Sequence, residues 1–312
     1  MNRRSFLQSL GAVAAYSTLG SIALISAESK PQLSITMDDP QTTPAAGMTG
    51  AEINRRILDV FQQHKLHATL FVCGMRVNSA EGRELLQQWN DAGHTLGNHS
   101  YSHLYFNSKK VSLQQFCEDI AKGEDVVAGY RRFRKVFRYP FFKEGDTADK
   151  RDGARKFLLD RGYQFGRATI DASDWAIDDR LVKRLAADPK ADTKPYREFY
   201  LEHLWDRANY YDGLAQKVLG RRPRHTLLIH HRALNALFLG DVLEMFQHRG
   251  WKLISSDKAY EDPVYRSQPN TLPAGEGLIW ALAKQSGKFE SELRYPAEDS
   301  TYENPRMDAL GL

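Results

Sequence analysis

The residues of this chain best suited to chemistry are two adjacent carboxylates, two histidines four positions apart, an arginine set among aromatics, two further aspartates and a later histidine pair. They occur as Met37-Asp38-Asp39, His99-Ser100-Tyr101-Ser102-His103, Arg138-Tyr139-Pro140-Phe141, Asp171, Asp174-Trp175 and Ile229-His230-His231. An acidic residue and two neutral imidazoles make a hydrolytic zinc site with a position left open for water, while the remaining groups can move protons. Taken singly, each segment has an ordinary structural reading. Asp38-Asp39 before Pro40 could be a polar turn, and His99 and His103 could be hydrogen-bonding surface histidines.

Position strengthens the chemical reading. Asp38 and Asp39 follow the strand-like run Leu33-Ser34-Ile35-Thr36-Met37, at the end where parallel sheets gather their active sites. Neighbouring residues leaving a strand point in different directions, so one carboxylate can coordinate a cation while the other contacts the attacking water. His99 and His103 share one face if the chain turns helically after the strand His94 to Gly97. Arg138 needs a carboxylate partner if it is buried, and Asp38 is the candidate, which would keep that carboxylate oriented and ionised. Stacking of Arg138 on Tyr139 or Phe142 is the competing arrangement. A strand ends at His230, and Asp174 follows the preceding strand, so the two have the parts of an oriented general acid whose pKa the pairing raises. Side chains alternate along a strand, which favours His230 over His231 as the inward residue. Trp175 suits either a sugar-stacking wall or core packing.

The elements that must position these residues alternate. Strand-length apolar runs are expected over Leu33 to Met37, Ala68 to Cys73, His94 to Gly97, Val136 to Tyr139, Gln164 to Ile170, Thr226 to His230 and Lys252 to Ile254. Helical patterns lie between them at Ala51 to Lys65, Ala80 to Ala92, Ser112 to Phe133, Lys150 to Arg161 and Leu234 to Arg249. This order predicts an α/β fold with a parallel sheet and right-handed crossovers, closed or nearly closed into a barrel. Asp178 to Gly220 is polar and interrupted by Pro189 and Pro195, and it reads as an insertion of at least two helices against the barrel wall. After Ser255 the prolines multiply around one helical segment, Glu276 to Lys284, which suggests a tail packed on a single domain.

At 312 residues, 42% hydrophobic and 26% charged, the composition is that of a globular protein. Residues 1–27 read as an export signal, with Arg3-Arg4, an uncharged apolar stretch from Leu10 to Ile25, and a small-residue cleavage point at Ser26-Ala27. The segment Asn2-Arg3-Arg4-Ser5-Phe6-Leu7 resembles a twin-arginine signal; a retained membrane anchor is the alternative. Setting aside those two arginines lowers the formal charge from +4 to +2, which argues against nucleic acid and for a neutral or weakly charged substrate. Cys73 and Cys117 are the only cysteines and are expected to be buried free thiols. The expected organisation is therefore a leader at 1–27, a catalytic barrel at 32–260 and a C-terminal extension at 261–312.

In order, these segments resemble the NodB-type polysaccharide deacetylase family over roughly Gln32 to Tyr260. That family's domain is a distorted barrel of about seven parallel strands. Its T-F-D-D-G pattern corresponds to Thr36-Met37-Asp38-Asp39-Pro40, implying Asp38 as base and Asp39 as metal ligand. Its H-S/T-x-x-H pattern falls on His99, Ser100 and His103, implying that both histidines bind metal. Its R-x-P-Y or R-x-P-F pattern falls on Arg138, Pro140 and Phe141, where the arginine holds the base and the N–H after the proline steadies the oxyanion. D-x-x-D-W matches Asp171, Asp174 and Trp175, with Asp174 tuning the acid, and L-x-H matches Leu228, Ile229 and His230, with His230 as the acid. Phe141, Trp175 and Tyr139 are the expected substrate-pocket residues. Pro40 and Met37 depart from the family's glycine and phenylalanine and bear on loop shape and substrate fit.

The resemblance implies a divalent cation, Zn²⁺ ahead of Co²⁺, Ni²⁺ or Mn²⁺, and removal of acetyl groups from an N-acetylated, or O-acetylated, extracellular or cell-envelope glycan. The protein would be exported to the periplasm or beyond, with no stable membrane span once the signal is removed. A hydrolase of small amides or ureides using the same site is the nearest alternative, disfavoured by the export signal. A glycan-binding barrel without turnover is the other, disfavoured because a pure binder needs neither proton-transfer group.

Overall fold

The computed structural model describes residues 30–294 and 300–312. The export-signal reading lies outside the described residues.

The first strand explains the rest. β1 (Gln32–Asp38) is buried at every position after its first, as a strand at the centre of a parallel sheet must be. It pairs in parallel with β2 (Thr69–Val72) on one side and β7 (Arg224–His230) on the other, and at its start with β8 (Lys252–Leu253). Outward from β2 follow β3 (Thr95–Asn98), β4 (Phe133–Phe137) and β6 (Gln164–Phe165), so the strand order is β6-β4-β3-β2-β1-β7. Every pairing in this sheet is parallel, as the alternating pattern predicts.

The expected strand Gln164 to Ile170 is divided. Its first residues pair with β4, whereas Ile170 bridges in parallel to Leu227 on β7. One segment thus reaches from the last strand on one side to the last on the other, closing the curled sheet into a distorted barrel. Gly166 follows β6 directly, and a Cβ there would come within 2.4 Å of the Phe71 ring, so the chain can pass this ring only as glycine.

The helices are α1 (Gly50–His64), α2 (Ala80–Asp91), α3 (Leu113–Val127), α4 (Ala148–Asp160), α5 (Asp174–Ala187), α6 (Lys194–Leu219) and α7 (Ala233–His248). Local chemistry starts several of them. Thr49 accepts from the Glu52 amide before α1, and Ser112 with Gln115 forms a reciprocal capping box on α3. The α3 pattern ends at Val127 instead of Phe133, because Phe133 begins β4.

The stretch read as a polar insertion contributes core. As expected it holds two helices divided around Pro189 and Pro195: α5 ends at Ala187, and Pro195 lies in the first turn of α6. Tyr196, Phe199, Tyr200, Leu204, Ala208 and Tyr211 of that helix are buried in the main hydrophobic cluster. Beyond β8 come α8 (Ser256–Tyr260), β9 (Ala274–Gly275), α9 (Leu278–Ser286) and α10 (Glu303–Leu310). The one tail helix foreseen at Glu276 to Lys284 is therefore α9, shifted by two residues and accompanied by others. Leu278, Ile279, Ala283 and Met307 join the same buried cluster. β9 pairs antiparallel with β5 (Lys143–Gly145), just after the Arg138 segment. Among the described residues, no helix is long and apolar enough to cross a membrane.

Candidate active site

The site gathers at the C-terminal ends of β1, β3, β4 and β7. Thr36 bonds to β7 through its Oγ1 donating to Leu227 O, and the strand runs on to Asp38, which ends β1. Asp39 then adopts φ 58°, so the two carboxylates diverge at the sheet's edge. Asp38 is paired by Arg138, whose Nη1 donates to Asp38 Oδ1 at 2.6 Å. The remaining guanidinium groups are also fixed: Nη2 donates to Thr36 Oγ1 and the Tyr260 hydroxyl, and Nε to Gly166 O. The guanidinium also lies 4.0 Å from the centre of the Phe71 ring, so charge pairing and stacking coexist.

Burial is the largest influence on Asp38 and leaves its pKa above the ordinary carboxylate value, although Arg138 and His230 pull it down. Arg138 pulls this carboxyl down as expected, and in the fold desolvation is the larger influence on its pKa. Asp39 differs. Burial pushes it up too, but His103, His99 and Arg76 together bring it below its ordinary value.

The two histidines do not lie on a helical turn. Ser100 and His103 both have left-handed backbones, at φ 63° and 56°, and the segment is a loop held from several sides. Asn98 Oδ1 accepts from the Ser100 amide, Ser100 Oγ from the His103 amide, and the Asp119 carboxylate from the Ser102 amide. Cys73 Sγ donates to Tyr101 O, so that buried cysteine is a free thiol, as expected; Cys117 is also free but only half-buried.

This loop brings His99, His103 and Asp39 together, with one ligand atom from each lying within 4.8 Å of the others. His99 Nδ1 lies 2.8 Å from Arg138 O, which leaves Nε2 for the cluster and fixes the ring as metal-binding histidines are usually fixed. Burial lowers the pKa of both His99 and His103 to about 4, so each has a lone pair free at neutral pH. Asp39 Oδ1 is buried and accepts no hydrogen bond; Arg76 Nε is 3.2 Å away but poorly aligned. Two neutral imidazoles and a carboxylate with an unsatisfied oxygen fit a divalent cation.

On the opposite wall His230 Nδ1 lies 2.7 Å from Asp174 Oδ1, and the His230 amide donates to Asp174 Oδ2. Burial presses the His230 pKa down, but Asp174, Asp38 and Asp39 outweigh it and leave the value raised. His231 points away and is buried with Nε2 against Asn54 Oδ1, so alternation along β7 separates the pair.

A cavity of about 250 Å³ connects these walls, lined by Asp38, Asp39, His103, Phe141, Trp175 and His230 among others. Asp171 lies in its wall, where burial lifts its carboxyl to about 6. Tyr139 reaches the cavity but is mainly core, packed on Phe137 and Phe116. Phe141 and Phe142 have φ 55° and 54°, conformations that cost a non-glycine residue roughly 1–3 kcal/mol and cluster at functional sites.

Sequence reasoning did not find Asn235, Thr36, Tyr260 or Arg76. Asn235 Nδ2 donates to Asp174 Oδ2 and to His230 O, holding the acid pair from α7. Thr36 stands first in the Thr36-Met37-Asp38-Asp39-Pro40 motif but had no role assigned, and the other three act across separate elements that no local pattern marks.

The family model for polysaccharide deacetylases matches residues 26–159, which bears out the motif resemblance over the first three motifs. A peptidoglycan-N-acetylglucosamine deacetylase of Bacillus cereus is 27% identical over 149 residues, 47% of this chain and 47% of that protein. A peptidoglycan-N-acetylmuramic acid deacetylase of Bacillus subtilis is 28% identical over 161 residues, 49% of this chain and 56% of that protein. The chain thus spans about half the length of these curated relatives. Two solved structures share the fold, each covering 74% of this chain with a TM-score of 0.50. One is a CE4 family pseudoenzyme from Bacillus anthracis, 19% identical and covered over 65% of its length. The other is the chitin deacetylase of the fungal pathogen Colletotrichum lindemuthianum, 16% identical and covered over 87%.

Proposed function

We propose, from the premise that this chain carries the polysaccharide deacetylase domain matched by residues 26–159, that it hydrolyses acetamide groups on an N-acetylated glycan outside the cytoplasm. The observation that carries this reading is the pairing of two proton-transfer units across one cavity: Asp38 with Arg138, and His230 with Asp174. A binding protein has no use for both.

Asp39, His99 and His103 would hold a divalent cation, Zn²⁺ first among candidates. Such an ion supplies Lewis acidity to a carbonyl oxygen and eases deprotonation of water. The protein's own residues account for the rest. Asp38 takes a proton from water as the water oxygen bonds to the acetamide carbon. The Phe141 amide N–H, turned by its left-handed backbone, is suited to receive the oxyanion. As the C–N bond breaks, His230 gives its proton to the departing nitrogen, leaving acetate and a free amino group. Asp174, steadied by Asn235, keeps the His230 ring oriented and favours its protonated form. Trp175 and Phe141 supply apolar walls for a sugar ring.

The test is acetate release from N-acetylglucosamine oligomers and peptidoglycan fragments by metal-loaded and chelated protein. Release that disappears with chelation and returns with Zn²⁺ supports the reading; no release from any N-acetylated glycan by metal-loaded protein rules it out.

A further inference from the structure

A second cavity, of about 460 Å³, is lined from α6, α10 and the C-terminal end of α7 and shares no lining residue with the catalytic one. That volume falls within the roughly 300–1,000 Å³ usual for small-molecule pockets. Its walls carry four arginines, Arg207, Arg249, Arg294 and Arg306, against two carboxylates, Glu202 and Asp206. Arg294 pairs with Asp206, so positive charge remains in excess over Glu202.

The innermost arginine is the informative one. Arg207 is 1% exposed, and among the described residues neither Nη1 nor Nη2 has a hydrogen-bond partner. Its guanidinium lies 4.8 Å from the centre of the Tyr302 ring, which lines the cavity with it, so the unbonded fork stands at the cavity wall. Glu303 is 3.7 Å from Nη2, beyond hydrogen-bond distance, and burial lifts that carboxyl above its ordinary value. His203, 3.2 Å from Glu303, is pressed down to about 3 by burial and is neutral. A buried guanidinium in this state is costly unless something accepts from it. Water would satisfy the fork but gives no reason for more arginines at the mouth. Arg249 stacks on Trp205 at 4.5 Å and Arg306 on Phe199 at 5.1 Å, both exposed and neither in an ion pair among the described residues. Stacking on a ring face leaves the in-plane N–H groups open.

We propose that this cavity binds an organic oxyanion, a phosphate or carboxylate group carried on a ring-sized body, with the Arg207 fork as inner anchor and Arg249 and Arg306 at the mouth. A planar guanidinium meets such a group with two parallel N–H donors. Trp205 and Tyr302 supply apolar surface for the body of the ligand. The site does not depend on the deacetylase reading, because none of its residues lines the catalytic cavity.

The experiment titrates glucose 6-phosphate, glucuronate and glucose calorimetrically into the metal-loaded full chain at about 0.15 M salt. Saturable binding of at least one charged sugar, about tenfold or more tighter than glucose, is expected, and the order of the two tells phosphate from carboxylate. Failure of both anions to bind, or equal binding of glucose, overturns the proposal. Arg207→Lys keeps the charge but loses the fork, and should weaken the anion about tenfold; Arg306→Ala should weaken it about fivefold. An anion held at the metal-type cluster instead would bind both variants as it binds the parent, and that result also overturns the proposal. Should Arg207→Lys fail to fold, the exposed Arg306→Ala decides alone.

Discussion

Asp38 and His230 face the same cavity, the proposed reaction gives them opposite tasks, and their surroundings set them apart. Asp38 is buried and its pKa raised, with Arg138 fixing its direction; His230 is raised by Asp174 and the aspartates at the end of β1. Asp38→Asn keeps the shape and the hydrogen-bond acceptor but not the base. Acetate release should fall by about 10²–10⁴, the usual contribution of a positioned base, while metal analysis finds the ion still bound. Retained turnover would exclude Asp38 from that role. The acid can be tested by pH. As the proposed acid His230 must be protonated, so kcat/KM should decline as pH rises through its raised pKa. Asp174→Asn removes the charge that raises that value, and the alkaline limb should move to lower pH; an unmoved limb would mean another group is the acid. These pairings were legible as candidates in the sequence, since Asp38 and His230 end strands and Arg138 and Asp174 closely follow them. That burial would outweigh Arg138 at Asp38 was not, because desolvation depends on everything packed around the carboxylate.

At the scale of elements, the histidine loop depends on α3. Gly123 of that helix lies so close that a Cβ there would meet Ser100 backbone and Asn98 Oδ1 at 2.6 Å. Alanine in place of a helical glycine ordinarily adds about 0.5–1 kcal/mol to stability. Here overpacking against fixed backbone, costing about 1–3 kcal/mol, should win. Gly123→Ala should lower Tm and weaken Zn²⁺ binding measured by competition with a chelator; a rise in Tm with unchanged affinity would show that the loop yields freely. Helical spacing of His99 and His103 pointed to a pair that the fold does bring together, but by the wrong geometry. Four residues separate them in a left-handed loop as well as in a helix, and only the packing of α3 distinguishes the two.

Across the whole molecule, the segment after Arg138 is tied to distant parts of the chain by a buried ion-pair network. Glu144 of β5 accepts from Arg155 of α4 and from Arg167 near the barrel closure, and those arginines also donate to Pro269 O and Ser267 O. Burial raises the Glu144 pKa, but Arg167 and Arg155 overcome this and leave it below its ordinary value. Its contribution to stability is therefore present above the unfolded-state pKa and lost as pH falls through the lower folded value. Glu144→Gln strands two buried guanidinium groups and should cost about 3–5 kcal/mol, read as a fall in denaturation midpoint at neutral pH. The penalty should shrink toward acid pH; a pH-independent loss would point to packing alone.

The tail joins the same support. The Glu276 amide donates to Phe142 O and the Leu278 amide to Ala168 O, so residues far along the chain brace the left-handed Phe141-Phe142 pair and the segment that closes the barrel.

Sequence by itself determined the alternation of strands and helices, and with it the parallel barrel that places residues at strand ends on one face. It also singled out Asp38, Asp39, His99, His103, Arg138, Asp174 and His230, because residue type, spacing and strand-end position are local properties. Tertiary structure alone decided the split of the 164–170 segment that closes the barrel, the left-handed loops at Ser100, His103 and Phe141, the support from Asn235 and Tyr260, and the bracing by the tail. Those features come from contacts between residues far apart in the chain, whose energies no local pattern records.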